Sequence, residues 1–136
     1  ELLDKASSQV NDFRFWDATG NVDKREMSVP GALSVRSIYY ASCRGIEAWS
    51  VMCFNIDGFF ESKTKENEAD NYLLNNLFDQ LTPEKRRKMY AATWVLMAIT
   101  RCIENCYLEL KDPNSSLFKC ILDFKNKYPN YVSIKE

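Results

Sequence analysis

Histidine is absent from this chain of 136 residues. That removes at once the commonest general acid–base and the commonest metal ligand. Without it there is no Ser-His-Asp, Cys-His or HExxH chemistry, and any catalysis would fall to carboxylates, Lys, Tyr or Cys. Glycine and proline are scarce, at four each, so there is little punctuation for many short strands and tight turns. No charge of one sign prevails: 18 basic residues meet 19 acidic ones, for a net charge of −1. Such a chain carries no long-range field to attract nucleic acid or an anionic membrane. The longest charge-free run, Met89 to Thr100, is short of the ~20 residues that a bilayer span needs. Phosphate-cradling GxGxxG and GxxxxGK[ST] loops are missing, as are the C2H2 and RRM patterns. No signal-peptide pattern is present, and the start at Glu1 without Met is that expected of a trimmed N-terminus.

What the chain does have is apolar material, 46% hydrophobic residues and 13% aromatic. At this length that is enough for one domain over 1–136 with a sizeable core. Five cysteines (Cys43, Cys53, Cys102, Cys106 and Cys120) are odd in number and form no CxxC pair. Three of them fall in apolar surroundings where a free thiol packs as a small hydrophobe. The expectation is five free thiols in a reducing, intracellular compartment, cytoplasmic or nuclear.

The periodicity predicts helices throughout. A first helix is expected over 2–16, followed by a polar connector from Asp17 to Pro30 with the length of a mobile loop. Over 32–60, Tyr39, Ser42, Ile46, Trp49, Cys53, Ile56 and Phe60 recur at steps of three and four, one helical stripe. Gly45 sits inside that pattern, and Gly58 marks an earlier stop. Ser62 to Asn71 is dense in charge and reads as an exposed loop or frayed helix end. A short amphipathic helix follows over Tyr72–Leu81. Thr82-Pro83-Glu84 is the clearest start signal, combining a cap, a first-turn proline and an acid at the positive end of the dipole. The helix it opens is expected to run over ~83–111, uncharged on every face from Ala91 to Thr100. A helix apolar all round is surrounded by others. Asp112-Pro113 repeats the start logic, and Pro129 stops the last helix at Tyr128.

The expected fold is therefore all-α, a compact bundle of about five helices around a buried central one. A central helix over 88–107 wrapped by amphipathic ones is similar in architecture to Bcl-2-like folds, the compact viral immunomodulators among them. The resemblance implies a helical bundle and carries over no site residue.

Few side chains invite a function. Lys85-Arg86-Arg87-Lys88 is the only basic cluster. It reads as a solvated face, and it is where an anion would bind if one does. Cys102 and Cys106, four apart on a helix, would share a face, but four ligands for zinc are hard to assemble without histidine. Glu104 and Glu109, five apart, do not face each other. Trp49 and Trp94 fall in apolar stripes and belong to the core. Trp16 borders the polar connector, and Tyr39 and Tyr40 cannot both face inward. These three aromatics are the expected partner-binding residues. The function expected is a non-enzymatic protein-interaction module of host-interaction or effector type. It would bind a partner helix or self-associate, with no cofactor, no metal and no membrane span. A helical carrier of a small apolar ligand is the alternative, and nucleic-acid binding through Lys85–Lys88 the weaker one.

Overall fold

The computed structural model describes residues 14–20, 29–31, 34–73 and 81–135. It is a mixed α/β structure, which overturns the all-α bundle expected above. Its contacts fall into two compact units, Glu1–Cys43 and Arg44–Glu136.

In the first unit, β1 (Arg14–Asp17) and β2 (Ser34–Ser37) pair in parallel, with Arg14 opposite Ser34 and Asp17 opposite Ser37. The strand β1 ends in a turn in which Asp17 Oδ1 accepts from the backbone N–H and hydroxyl of Thr19, at 2.9 and 2.6 Å. Those two bonds hold the Asp17 carboxyl below its ordinary range. The helix expected over 2–16 lies outside the described residues up to 13, and residues 14–16 belong to β1. The connector expected over 17–30 likewise lies outside them at 21–28.

The second unit runs β3 (Ala48–Cys53), α1 (Ile56–Thr64), α2 (Asn67–Asn71), α3 (Pro83–Ile99), β4 (Cys102–Leu108) and α4 (Ser116–Lys127). The two strands pair in parallel, with Val51 opposite Cys106 and Cys53 opposite Leu108, and their register slips between Ala48 and Ser50. A parallel pair needs a long crossover, and α1 to α3 supply it. Helix α1 packs against α3 and α4, and α3 also meets β3. The buried side chains of this unit include Cys53, Ile56, Phe60, Ala69, Ala91, Val95 and Ala98.

The long helix expected over 32–60 is replaced by β2, a short 3-10 turn at Tyr40–Ser42, β3 and the start of α1. Two backbone reversals forbid a continuous helix there. Gly45 has φ +79° and Asn55 φ 52°, both left-handed and unlike any helical residue. Gly58, expected near a helix end, sits in the first turn of α1. A Cβ there would lie 2.6 Å from the Asn55 side chain, which would have to shift to admit it. The charged stretch 62–71 is helical for most of its length, and Ala69 within it is fully buried. The helix expected over 72–81 falls mostly on residues 74–80, outside those described.

Helix α3 starts where the sequence says it should. Thr82 Oγ1 accepts from the Lys85 N–H at 3.3 Å, with Pro83 in the first turn. Replacing Thr82 with alanine is expected to cost ~1 kcal/mol of stability, read as a lower urea midpoint at unchanged slope.

The same helix stops at Ile99, well before 111. The Thr100 hydroxyl donates back to Leu96 O at 2.6 Å, and residues 102–108 continue as strand. Nor is it buried all round. Ala91, Val95 and Ala98 form its one buried stripe, while Leu96 is 54% exposed. Without a helix over 88–107 and a bundle around it, the architectural likeness to Bcl-2-like folds does not hold. The last helix does not open at Asp112-Pro113 as expected: Asp112 Oδ1 accepts from the Asn114 N–H in a turn, and Ser115 Oγ caps the Phe118 N–H. The helix begins at Ser116 and ends at Tyr128, where Pro129 was expected to stop it. Among the described residues no helix is long and apolar enough to cross a membrane.

Candidate functional site

The two strands of the second unit gather most of what sets this chain apart. In a strand, side chains alternate between faces, and directly paired residues share one. One face of the β3–β4 pair therefore carries Ser50, Met52, Ile103, Asn105 and Tyr107. All five are exposed, Met52 at 64% and Ile103 and Tyr107 at 56% each. The opposite face carries Val51, Cys53, Cys106 and Leu108. Cys53 is buried there and Cys106 is open to solvent. Trp49, expected in the core, stands 70% exposed beside the register slip, with its carbonyl accepting from the Cys102 thiol at 3.8 Å.

Where the strands end, acidic side chains tie the unit together. Glu109 N–H donates to Cys53 O (2.8 Å) and Ile56 N–H to Glu109 O (3.1 Å). The Glu109 carboxylate accepts from the Asn55 N–H at 2.9 Å. Asp57, in the first turn of α1 and 2% exposed, accepts through Oδ2 from the N–H groups of Lys111 (2.9 Å) and Asp112 (2.7 Å). Burial pushes its carboxyl pKa up. The N–H groups of Asp112, Lys111 and Gly58 outweigh that, and the net displacement is downward. Neither acid stood out in the sequence, since each partner lies about fifty residues away.

The thiols also gain meaning from the fold. Cys102 and Cys106 lie on a strand rather than a helix, so about 13 Å separates them. Among the described residues no group of three or more Cys, Asp and Glu side chains is placed to hold a metal. Cys106 instead meets Cys53 across the sheet. The Cys53 thiol hydrogen-bonds Cys106 and draws its pKa down to about 7, against the smaller opposing effect of burial. Alkylation of Cys106 should accordingly rise to half its limiting rate near pH 7, followed by peptide mass spectrometry after timed quenching. A profile centred near 8.5, the value for a free cysteine, would contradict the contact. All five cysteines are unbridged.

The basic cluster lies in the first turns of α3, and much of it is already satisfied. Arg87 is paired with Asp70, and Lys88 with Glu84 at 2.7 Å. Arg86 donates to Leu81 O at 2.8 Å. The Asp70 and Glu84 partners raise the pKa of Arg87 and Lys88 respectively. Lys85 is exposed, its N–H held by the Thr82 cap.

Trp94 is half-buried rather than central. Lys63 Nζ sits 4.1 Å from its ring centroid, and Tyr90 meets it edge-on at 6.3 Å. Lys63 also pairs with Glu66 at 2.7 Å, and Tyr90 donates to the same carboxylate at 3.0 Å. These contacts fasten α3 to the end of α1. A cleft of about 440 Å³ opens beside them, lined by Tyr72, Tyr90, Trp94 and Met97 with Arg44 and Arg101.

The three expected partner-binding aromatics lie together in the first unit. Trp16 is half-buried in β1, Tyr40 is half-buried at the start of the 3-10 turn, and Tyr39 is exposed. The Tyr39 hydroxyl donates to Thr19 O at 2.6 Å. Tyr39 is extended, so the helical argument that set it apart from Tyr40 has no basis here. No family model matches this chain, and no curated protein or solved structure matches it.

Proposed function

We propose that this chain is a non-enzymatic protein-interaction module that pairs with a second copy of itself through the outer face of β3 and β4. One observation carries the reading: Met52, Ile103 and Tyr107 stand exposed together on one face of a two-stranded parallel sheet. Parallel strands occur almost only in sheets covered on both faces, and contiguous exposed apolar side chains mark surfaces that bind. A second copy suits this face. Ser50 and Asn105, paired across the strands among the apolar residues, can each donate and accept. That is what a two-fold contact of identical surfaces asks for. With a net charge of −1, two copies repel each other little.

Other observations bear on the rivals. Arg87 and Lys88 spend their charge on Asp70 and Glu84, which leaves little of the basic cluster for a nucleic acid. The absence of histidine narrows the catalytic chemistry the chain can perform.

Size-exclusion chromatography with light scattering, over a range of loading concentrations and at two ionic strengths, tests the proposal. The particle mass should rise with concentration from 15.8 kDa towards twice that value. Salt should change this little, since the contact is apolar. A constant 15.8 kDa at the highest soluble concentration overturns self-pairing. Loss of association at high salt would move the contact from this sheet to charged groups.

A further inference from the structure

We propose that Cys106 and Cys53 form a peroxide-reactive dithiol, in which solvent-exposed Cys106 attacks a hydroperoxide and buried Cys53 resolves the product as a disulfide. The pairing of β3 with β4 sets up the arrangement. Val51 lies opposite Cys106 and Cys53 opposite Leu108, so the two cysteines are diagonal neighbours on the same face, at a spacing of about 7–8 Å that a disulfide closes only with a small shift of the strands. Their thiols are hydrogen-bonded. One member is exposed and the other buried, the division of labour that such chemistry needs. An oxidant reaches Cys106 directly, while Cys53 reacts only through its neighbour.

The chemistry balances without any further co-reactant. The Cys106 thiolate attacks the terminal oxygen of the hydroperoxide. The S–O bond forms, the O–O bond breaks, and the alkoxide or hydroxide leaves with the electron pair and takes a proton from water. Cys106 is now a sulfenic acid, its sulfur oxidised by two electrons. Cys53 then attacks that sulfur, the S–S bond forms, and the S–O bond breaks. The departing hydroxide combines with the Cys53 proton as water. Reactive sensor cysteines are low-pKa, accessible and set beside a resolving partner, and the pair meets each condition. The gain in reactivity is moderate. A thiol half-ionised at neutral pH has roughly sixteen times the thiolate of one near 8.5. Its lower nucleophilicity returns much of that, for a net advantage of about threefold over an ordinary exposed cysteine.

The test uses the full chain, reduced and then exposed to hydrogen peroxide at low molar excess, with tryptic mapping and tandem fragmentation. Fragmentation matters because Cys102 and Cys106 share the peptide between Arg101 and Lys111. The wild-type protein should lose two thiols and yield a Cys53–Cys106 cross-linked peptide, while Cys43, Cys102 and Cys120 stay reduced. In Cys53→Ser the disulfide should be absent, and dimedone should trap a sulfenic acid at Cys106. In Cys106→Ser, Cys53 should survive the same dose unmodified. Cys53 is buried, so its variant can misfold; the wild-type cross-link and the Cys106→Ser result stand without it. Oxidation that begins at Cys102 or Cys120, or wild-type Cys106 passing to sulfinic acid with Cys53 still reduced, overturns the proposal.

Discussion

Replacing Asp57 with alanine is expected to cost the second unit about 3 kcal/mol or more, because a buried carboxylate loses two charge-assisted hydrogen bonds. The side chain is 2% exposed and Oδ2 accepts from Lys111 and Asp112 at 2.9 and 2.7 Å. Those donors belong to the segment that leaves β4, so the carboxylate fastens the start of α1 to the chain beyond the sheet. Its place in the first turn of α1 adds a favourable contact with the positive end of the helix dipole. Asp57→Asn keeps the shape and one acceptor but not the charge, and should lose less than the alanine variant.

The carboxyl's folded pKa lies below its ordinary value, so the stabilisation it gives is complete above the unfolded value near 3.9. It is lost as pH falls from there through the lower folded value. Urea unfolding at neutral pH and across the acid range reads both effects. The wild-type protein should lose stability on acidification over that window, and Asp57→Ala should follow a flatter course from a lower start. A loss below about 1 kcal/mol at neutral pH, the size of one ordinary exposed contact, would show that the loop is held by something else.

Where the sequence reading succeeded, the cause is local. Thr82-Pro83 opens α3 and Pro129 closes α4 because caps and proline act on their own neighbours. It failed on the strands for a reason visible in the spacing itself. Trp49 and Cys53 are four apart, as are Cys102 and Cys106, and a step of four keeps one face in a helix and in a strand alike. The uncharged segment 91–100 then invited an extension of the helix into residues whose partners are elsewhere. Residues 102–108 become a strand by pairing with 48–53, a contact some fifty residues away that no window of local pattern contains. Ile103 and Tyr107 favour a strand, and Asn55 is among the few residues that accept the left-handed turn it occupies. These were the available signals. The candidate site was correspondingly hidden. Asp57, Glu109 and the Cys53–Cys106 contact all depend on that same pairing, whereas Trp16, Tyr39 and Tyr40 were singled out from local pattern alone.

Met52→Glu should weaken self-association about tenfold or more, since it places an uncompensated carboxylate in the centre of the proposed contact. The fold should hardly notice. Met52 is 64% exposed, and substitutions at open surface positions stay within about 0.5 kcal/mol. Tyr107→Ser, directly opposite Met52 across the strands, should weaken pairing as well, by the smaller effect of a truncated anchor, ~1–2 kcal/mol. Sedimentation equilibrium on each variant, with urea unfolding alongside, separates a lost contact from a lost fold. Trp16→Ala and Tyr39→Ala supply the comparison, because they alter the first unit and leave β3 and β4 untouched. Pairing that survives both of these and fails in Met52→Glu places the contact on the sheet. The reverse pattern would return it to the aromatics around β1 and the Tyr39 turn, and the exposed face of β3 and β4 would then need another explanation.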